Sequence, residues 1–235
     1  MLFVVCCAGV STMSFNQRIT QLIFGVSFNH MFKLLDSWGE IADDILYNNK
    51  LFSPEFFSNI SSQYTTERRL FNPERNHSLL LTSNNLVFTQ TVESNFLTEY
   101  EEFKSRVQHY FVPKLLSRHG LIVRRLGVVY TCRLNDAEIR QFASKFFNPS
   151  VQNIIDFRFS RKEATDKGRV LSENSDFVNK IFTVGNISES IQGISYDYQL
   201  HFIPSRADVR DTISSFLANS MAEFESDIAS NFGGK

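Results

Sequence analysis

The stretch Leu121-Ile-Val-Arg-Arg-Leu-Gly-Val-Val-Tyr-Thr-Cys-Arg-Leu134 decides the fold. Ile122, Leu126, Val128, Tyr130, Cys132 and Leu134 fall on one side of it, with Arg124 the single intruder. Leu121, Val123, Arg125, Gly127, Val129 and Thr131 fall on the other. A period of two held this long is a strand buried on one side, with a more mixed second side.

Working outward, Asn135-x-x-Glu138 reads as a capping box. It opens a helix over Asn135–Phe147 whose Ile139, Phe142 and Phe146 share a face, and Asn148-Pro149 stops it. Upstream, Ser94–Arg118 carries an apolar stripe at helical spacing. Pro113 inside that stripe predicts a kink or break, because it has no N–H to donate. Strand candidates after the central stretch are Ile154–Ser160, Gly168–Leu171, Phe177–Val184 and Gly193–Phe202, and Ser205-x-x-Asp208 caps a closing helix to Phe232. The first half runs in the same order. Strand Ile19–Phe28 leads into a helical segment behind Asn29, then a short turn at Ser53–Ile60. A meander follows, of Tyr64–Phe71, His77–Thr82 and Leu86–Val92, joined by Asn/Pro turn chemistry. The expected fold is α+β: antiparallel sheets covered by helices, with a β-α-β(3-4)-α unit used twice. The expected limits are 1–14 for a disordered or mis-started N-terminus, with Met13 as the true start, then 15–120 and 121–235 for two halves packed as one unit. TATA-binding-protein-like and helix-grip layouts are similar in architecture, a likeness that carries no function.

Composition narrows the function classes. The chain has 235 residues, enough for a substantial core, and its 24 Phe bury large area without needing a hydrogen-bond partner. With 24 basic and 25 acidic residues the formal charge is −1, so no global field draws the chain to nucleic acid or anionic lipid. Three cysteines, Cys6, Cys7 and Cys132, fit a reducing compartment and hence the cytoplasm. The apolar run at Met1–Val10 is too short to cross a bilayer, which needs about 20 such residues.

Arg125-Leu-Gly-Val-Val-Tyr-Thr-Cys-Arg-Leu134 resembles the hallmark strand of a sporadically distributed family of uncharacterised prokaryotic proteins. Arg125, Gly127, Tyr130 and Arg133 match its pattern, while Val129 and Cys132 stand where that family shows Arg and Asn. The flanking order of elements, from Ile19 to Phe232, is similar too. The resemblance implies no activity, cofactor or catalytic residue.

The residues themselves supply no catalytic constellation. The histidines are His30, His77, His109, His119 and His201, none in a metal-ligand spacing, so neither metal nor cofactor is expected. Phosphate-loop and nucleophile-elbow glycine patterns are missing from the sequence. Asp43-Asp44, Glu101-Glu102 and Glu223/Glu225/Asp227 read as solvated helix charge, and Cys132 as an inward, inert thiol. Candidate binding residues are Arg125, Tyr130, Arg133, Arg158, Asp197 and His201, with Asp197, Gln199 and His201 on one strand face. Arg158, Arg161, Lys162, Lys167 and Arg169 form a basic strip with Arg125 if the strands pair in chain order. The expected function is non-enzymatic binding of a protein partner or small ligand, on a sheet face or in a groove between the halves. The alternatives are nucleic-acid binding through the basic strip and a hydrolase or transferase without a short motif.

Overall fold

The computed structural model describes residues 18–48, 59–61, 67–144, 156–165, 170–188 and 191–232. The elements run β1 Ile19–Phe28, α1 Lys33–Asp36, α2 Trp38–Asp43, β2 Asn59–Ser61, β3 Glu67–Asn72, β4 His77–Thr82, β5 Asn85–Thr91 and α3 Phe96–Arg106. They continue as β6 Val123–Arg133, α4 Asp136–Ala143, β7 Phe157–Ala164, β8 Phe177–Ser188, β9 Ile191–Arg206 and α5 Arg210–Phe232. Among the described residues nine strands form a single sheet in the order β2-β3-β4-β5-β1-β6-β9-β8-β7, and every pairing is antiparallel. The chain is therefore α+β.

Side-chain alternation sends one face of this sheet inward. Phe24 and Phe88 from the first half, and Leu126, Val128, Tyr130 and Tyr196 from the second, are essentially inaccessible. Helices roof that face. Phe103 and Phe111 pack on Phe88, Phe224 lies 5.1 Å from Tyr130 and 5.6 Å from Tyr196, and Phe216 lies 5.7 Å from Tyr198. Aromatic pairs at these separations add to plain area burial, and these Phe side chains fill the helix–sheet interface. The expected capping box is present: the Asn135 N–H donates to Glu138 Oε2 at 2.9 Å and the Glu138 N–H to Asn135 Oδ1 at 3.0 Å.

Several expectations need correction. Pro113 does not break its helix. The helical path continues past it as π-helical turns over Val107–Ser117, with Pro113 itself donating no backbone hydrogen bond. In the central strand the register shifts between Val123 and Arg125, a bulge that turns Arg124 out to solvent and Val123 into the core. The apparent intruder thus marks a change of phase. Asn59–Ser61 is a strand where a helical turn was expected, and the remainder of Ser53–Ile60 lies outside the described residues. Val170 and Leu171 belong to no strand and are exposed, while 168–169 lie outside the described residues. β9 runs on to Arg206, so Ser205 does not cap α5; Asp208 accepts from the Arg210 N–H at 3.0 Å instead. The expectation for 1–14 also lies outside the described residues.

Gly193 faces Arg133 across the β6–β9 ladder. A Cβ there would overlap the Cys132 carbonyl oxygen and lie 3.0 Å from its carbonyl carbon. Backbone cannot swing aside as a side chain does, so Gly193→Ala is expected to lose about 1–3 kcal/mol in urea unfolding.

Candidate functional site

Among the described residues no helix lies on the second face of the sheet, and the pairing register fixes what that face presents. One row crosses β1, β6, β9 and β8 as Ser27, Arg125, His201 and Phe177. The next brings Gly25, Gly127, Gln199, Asn179 and, on β7, Lys162 into line. A third carries Ile23, Val129, Asp197, Ile181 and Ser160. This open face is apolar where strands need cross-strand packing and polar in between.

β9 supplies the centre. Asp197, Gln199 and His201 point the same way because they are two residues apart. The Gln199 Nε2 donates to Asp197 Oδ2 at 2.6 Å, and Gln199 Oε1 accepts from His201 Nε2 at 3.1 Å and Asn179 Nδ2 at 3.4 Å. The His201 ring stacks on Phe177, centroids 4.4 Å apart and planes within 8°. The Lys162 ammonium sits 5.4 Å from the centroid of the same Phe177 ring. Arg125 donates to Ser27 Oγ at 3.2 Å, and that hydroxyl donates onward to Asn85 Oδ1 at 2.7 Å.

Electrostatics follow from half-burial and the nearby cations. Burial raises the Asp197 carboxyl, against the Gln199 hydrogen bond and the charges of Arg125 and Arg158. Burial first, then Arg125 and Lys162, lowers His201 to about 4, leaving its imidazole uncharged at neutral pH. The positive charge of the face therefore resides on Arg124, Arg125, Arg158 and Lys162. None of these four forms an ion pair among the described residues. Asp197 is the carboxylate on this face of β6, β9, β8 and β7. At one end the face dips into a recess of about 470 Å³ lined by Ser27, Arg124, Arg125, Phe177, His201 and Ser205, among others.

The centre is bare. Gly25 and Gly127 sit opposite one another in the two central strands, and neither has positive φ. A Cβ on Gly25 would meet nothing within 4 Å, and one on Gly127 would make only ordinary contacts, at 3.8 Å. Glycine inside a strand weakens it by roughly 0.5–1 kcal/mol relative to alanine, and nothing in the packing here demands it.

The anticipated site residues are only partly brought together. Arg125, Asp197 and His201 share the open face, and Arg158 joins them from β7, close enough to act on Asp197. Arg133 lies at the exposed end of β6, away from the polar row. Tyr130 is not a surface residue. It points under the helices, where its hydroxyl hydrogen-bonds Ser220 at 2.7 Å and burial raises its pKa strongly. Arg161 faces the opposite way from Arg158 and pairs with Glu163 at 2.5 Å and Asp227 at 3.1 Å, so it does not belong to the basic strip. Lys167 and Arg169 lie outside the described residues. Burial raises the Cys132 thiol to about 12, consistent with an inert side chain.

Sequence reasoning missed Lys180. It occupies an inward position of β8, 2% exposed, and its ammonium meets Glu223 at 2.7 Å, Glu163 at 3.0 Å and Asp227 at 3.6 Å. Glu223 and Asp227 are accordingly not solvated helix charge. The signal was present: Lys180 stands on the apolar side of the Phe177–Val184 alternation, and its partners lie four residues apart on one helix.

The open face offers hydrogen-bond donors, acceptors and positive charge. His201 contacts no hydroxyl or thiol in the geometry of an activated nucleophile, its ring nitrogen being engaged by Gln199. Among the described residues no cluster of His, Cys, Asp and Glu is placed to hold a metal ion, and no helix is long and apolar enough to cross a membrane. No protein-family model matches the chain, and no curated protein matches it.

Proposed function

We propose that this is a non-enzymatic cytoplasmic binding protein whose open sheet face receives an acidic segment of a partner protein. The observation that carries this reading is the grouping of Arg124, Arg125, Arg158 and Lys162, with no ion-pair partners among the described residues, around the Asp197–Gln199–His201 row. The bare Gly25–Gly127 centre supports it further, since it lets a partner backbone approach the sheet closely. We read the strand order, β5-β1 mirrored by β6-β9 with a long helix closing each half, as two copies of one ancestral unit. The resemblance of the Arg125–Leu134 strand belongs to the same reading.

Magnitude favours an acidic peptide over nucleic acid. Four cations on a single strand would give a salt slope of only about 3, and duplex-binding proteins make roughly 6–10 phosphate contacts. Phe177, the aromatic ring on this part of the face, is already stacked on His201, which leaves no ladder of stacking platforms.

The test is fluorescence anisotropy with a labelled Glu-rich peptide and an oligo-dT of equal charge, at 50 and 200 mM salt. The peptide is expected to bind more tightly than the oligonucleotide, and Arg125→Glu to weaken it by roughly tenfold or more. Gly127→Ala is expected to raise stability by roughly 0.5–1 kcal/mol while weakening the same complex. Tighter binding of oligo-dT with a steep salt slope would assign the face to nucleic acid instead. Binding of neither probe would remove the reading.

A further inference from the structure

A second recess, of about 250 Å³, lies on the roofed face between β8, β9 and the N-terminal half of α5. Val178, Leu200, Phe202 and Phe216 give it an apolar floor, while polar groups, Ser215 and Asn219 one turn apart on α5 among them, make up the larger share of its exposed lining. Asp176 and Arg206 stand at its rim, paired with each other, so the rim carries no net charge. The volume lies just below the range of drug-sized ligand pockets, roughly 300–1,000 Å³, and suits a smaller molecule.

Tyr198 distinguishes this recess from a simple packing gap. Among the described residues five tyrosines are buried: Tyr100, Tyr110, Tyr130, Tyr196 and Tyr198. The Tyr100 hydroxyl donates to the Leu217 carbonyl at 3.1 Å, Tyr130 bonds Ser220 at 2.7 Å and Tyr196 donates to Asp227 at 3.0 Å. Tyr110 bonds Asp44. Tyr198 is 6% exposed and lines the recess, and its hydroxyl, open to solvent there, has no hydrogen-bond partner among the described residues. All four of its counterparts have protein partners, whereas the Tyr198 hydroxyl opens onto the recess. Burial, then Glu223 and Glu163, push its phenol up to about 12, so it stays a hydrogen-bond donor well into the alkaline range. Those same carboxylates disfavour an anion beside it.

We propose that this recess is a ligand site for a small uncharged molecule with an apolar ring and a carbonyl oxygen. The ring seats on Val178, Leu200 and Phe216, and the carbonyl accepts a hydrogen bond from the Tyr198 hydroxyl. The site is on the opposite side of the sheet from the open face and stands independently of it.

The experiment is an amide chemical-shift titration of the full chain with acetophenone, alongside ethylbenzene, which has no acceptor, and benzoate, which has a charge. Acetophenone is expected to give saturable shifts at Val178, Tyr198–Phe202 and Phe216, and to bind more tightly than either comparator. Tyr198→Phe, which removes an unpartnered hydroxyl and leaves unfolding unchanged, is expected to weaken acetophenone by roughly threefold to tenfold. The same substitution leaves ethylbenzene unaffected. Ser215→Phe, at an exposed position on the rim, is expected to block all three. Absence of saturable shifts at these residues, preference for benzoate, or unchanged acetophenone affinity in Tyr198→Phe would each overturn the proposal.

Discussion

Lys180→Met is expected to lower the unfolding free energy by about 3–5 kcal/mol, because breaking a buried ionic cluster from one side leaves its partners without compensation. The Lys180 side chain is 2% exposed, and its ammonium sits among Glu163, Glu223 and Asp227, which belong to β7 and α5. Asp227 also accepts from the Tyr196 hydroxyl at 3.0 Å and from Arg161 at 3.1 Å, so one substitution disturbs the clamp that holds α5 to the β7–β8–β9 edge. Adding Glu223→Gln and Asp227→Asn to Lys180→Met is expected to recover most of the loss. Full additivity of the three substitutions in denaturant unfolding would contradict a coupled cluster.

The pH dependence has a definite sign. Burial alone would lower the Lys180 ammonium, but hydrogen bonds to Glu223 and Glu163, and the charge of Asp227, outweigh it and raise the group above 10.5. A cation raised on folding stabilises fully below its unfolded pKa. That contribution disappears as pH climbs through the higher folded value. The wild type should therefore lose stability on the alkaline side of 10.5, and Lys180→Met should show a smaller alkaline loss in thermal unfolding from pH 9 to 12.

Phe224→Ala is the second large effect, expected at about 3–5 kcal/mol, the range for emptying a buried aromatic site. Phe224 is fully inaccessible and meets Tyr130 from β6 and Tyr196 from β9 in tilted geometry. Its loss opens a cavity where α5 crosses the two strands that carry the open-face residues. The rings around it are themselves tied by hydroxyls to Ser220 and Asp227, so collapse into the space is restricted. Urea unfolding should show a lower midpoint with the slope preserved. A loss below about 1 kcal/mol would mean that α5 does not roof the sheet as described.

Period and capping chemistry made much of this fold readable. The alternation of Leu126–Cys132, the Tyr196–Phe202 face and the Asn135/Glu138 box all survive in the structure, because each is a local pattern with a local cause. What escaped was non-local. The β1–β6 pairing joins strands a hundred residues apart, and only that register sets Ser27 beside Arg125 and Gly25 opposite Gly127. The bulge beside Arg124 changes the phase of an otherwise regular strand, and π-helical turns continue past Pro113; neither leaves a composition signal. Among the candidate site residues, Asp197 and His201 were legible from strand parity. Tyr130 was misjudged because the resemblance motif drew attention to a residue that the same parity sends inward. Arg161 and Lys180 escaped because their partners are on α5, and charge on a helix reads as solvated until its facing strand is known.

The most direct test of the open face as the binding surface is an amide shift map of the labelled protein on adding the Glu-rich peptide. The shifts are expected to concentrate on Arg125, Gly127, Asn179, Gln199 and His201, and to leave α3 and α5 unmoved. Shifts confined to the helices, with these five residues silent, would contradict the account.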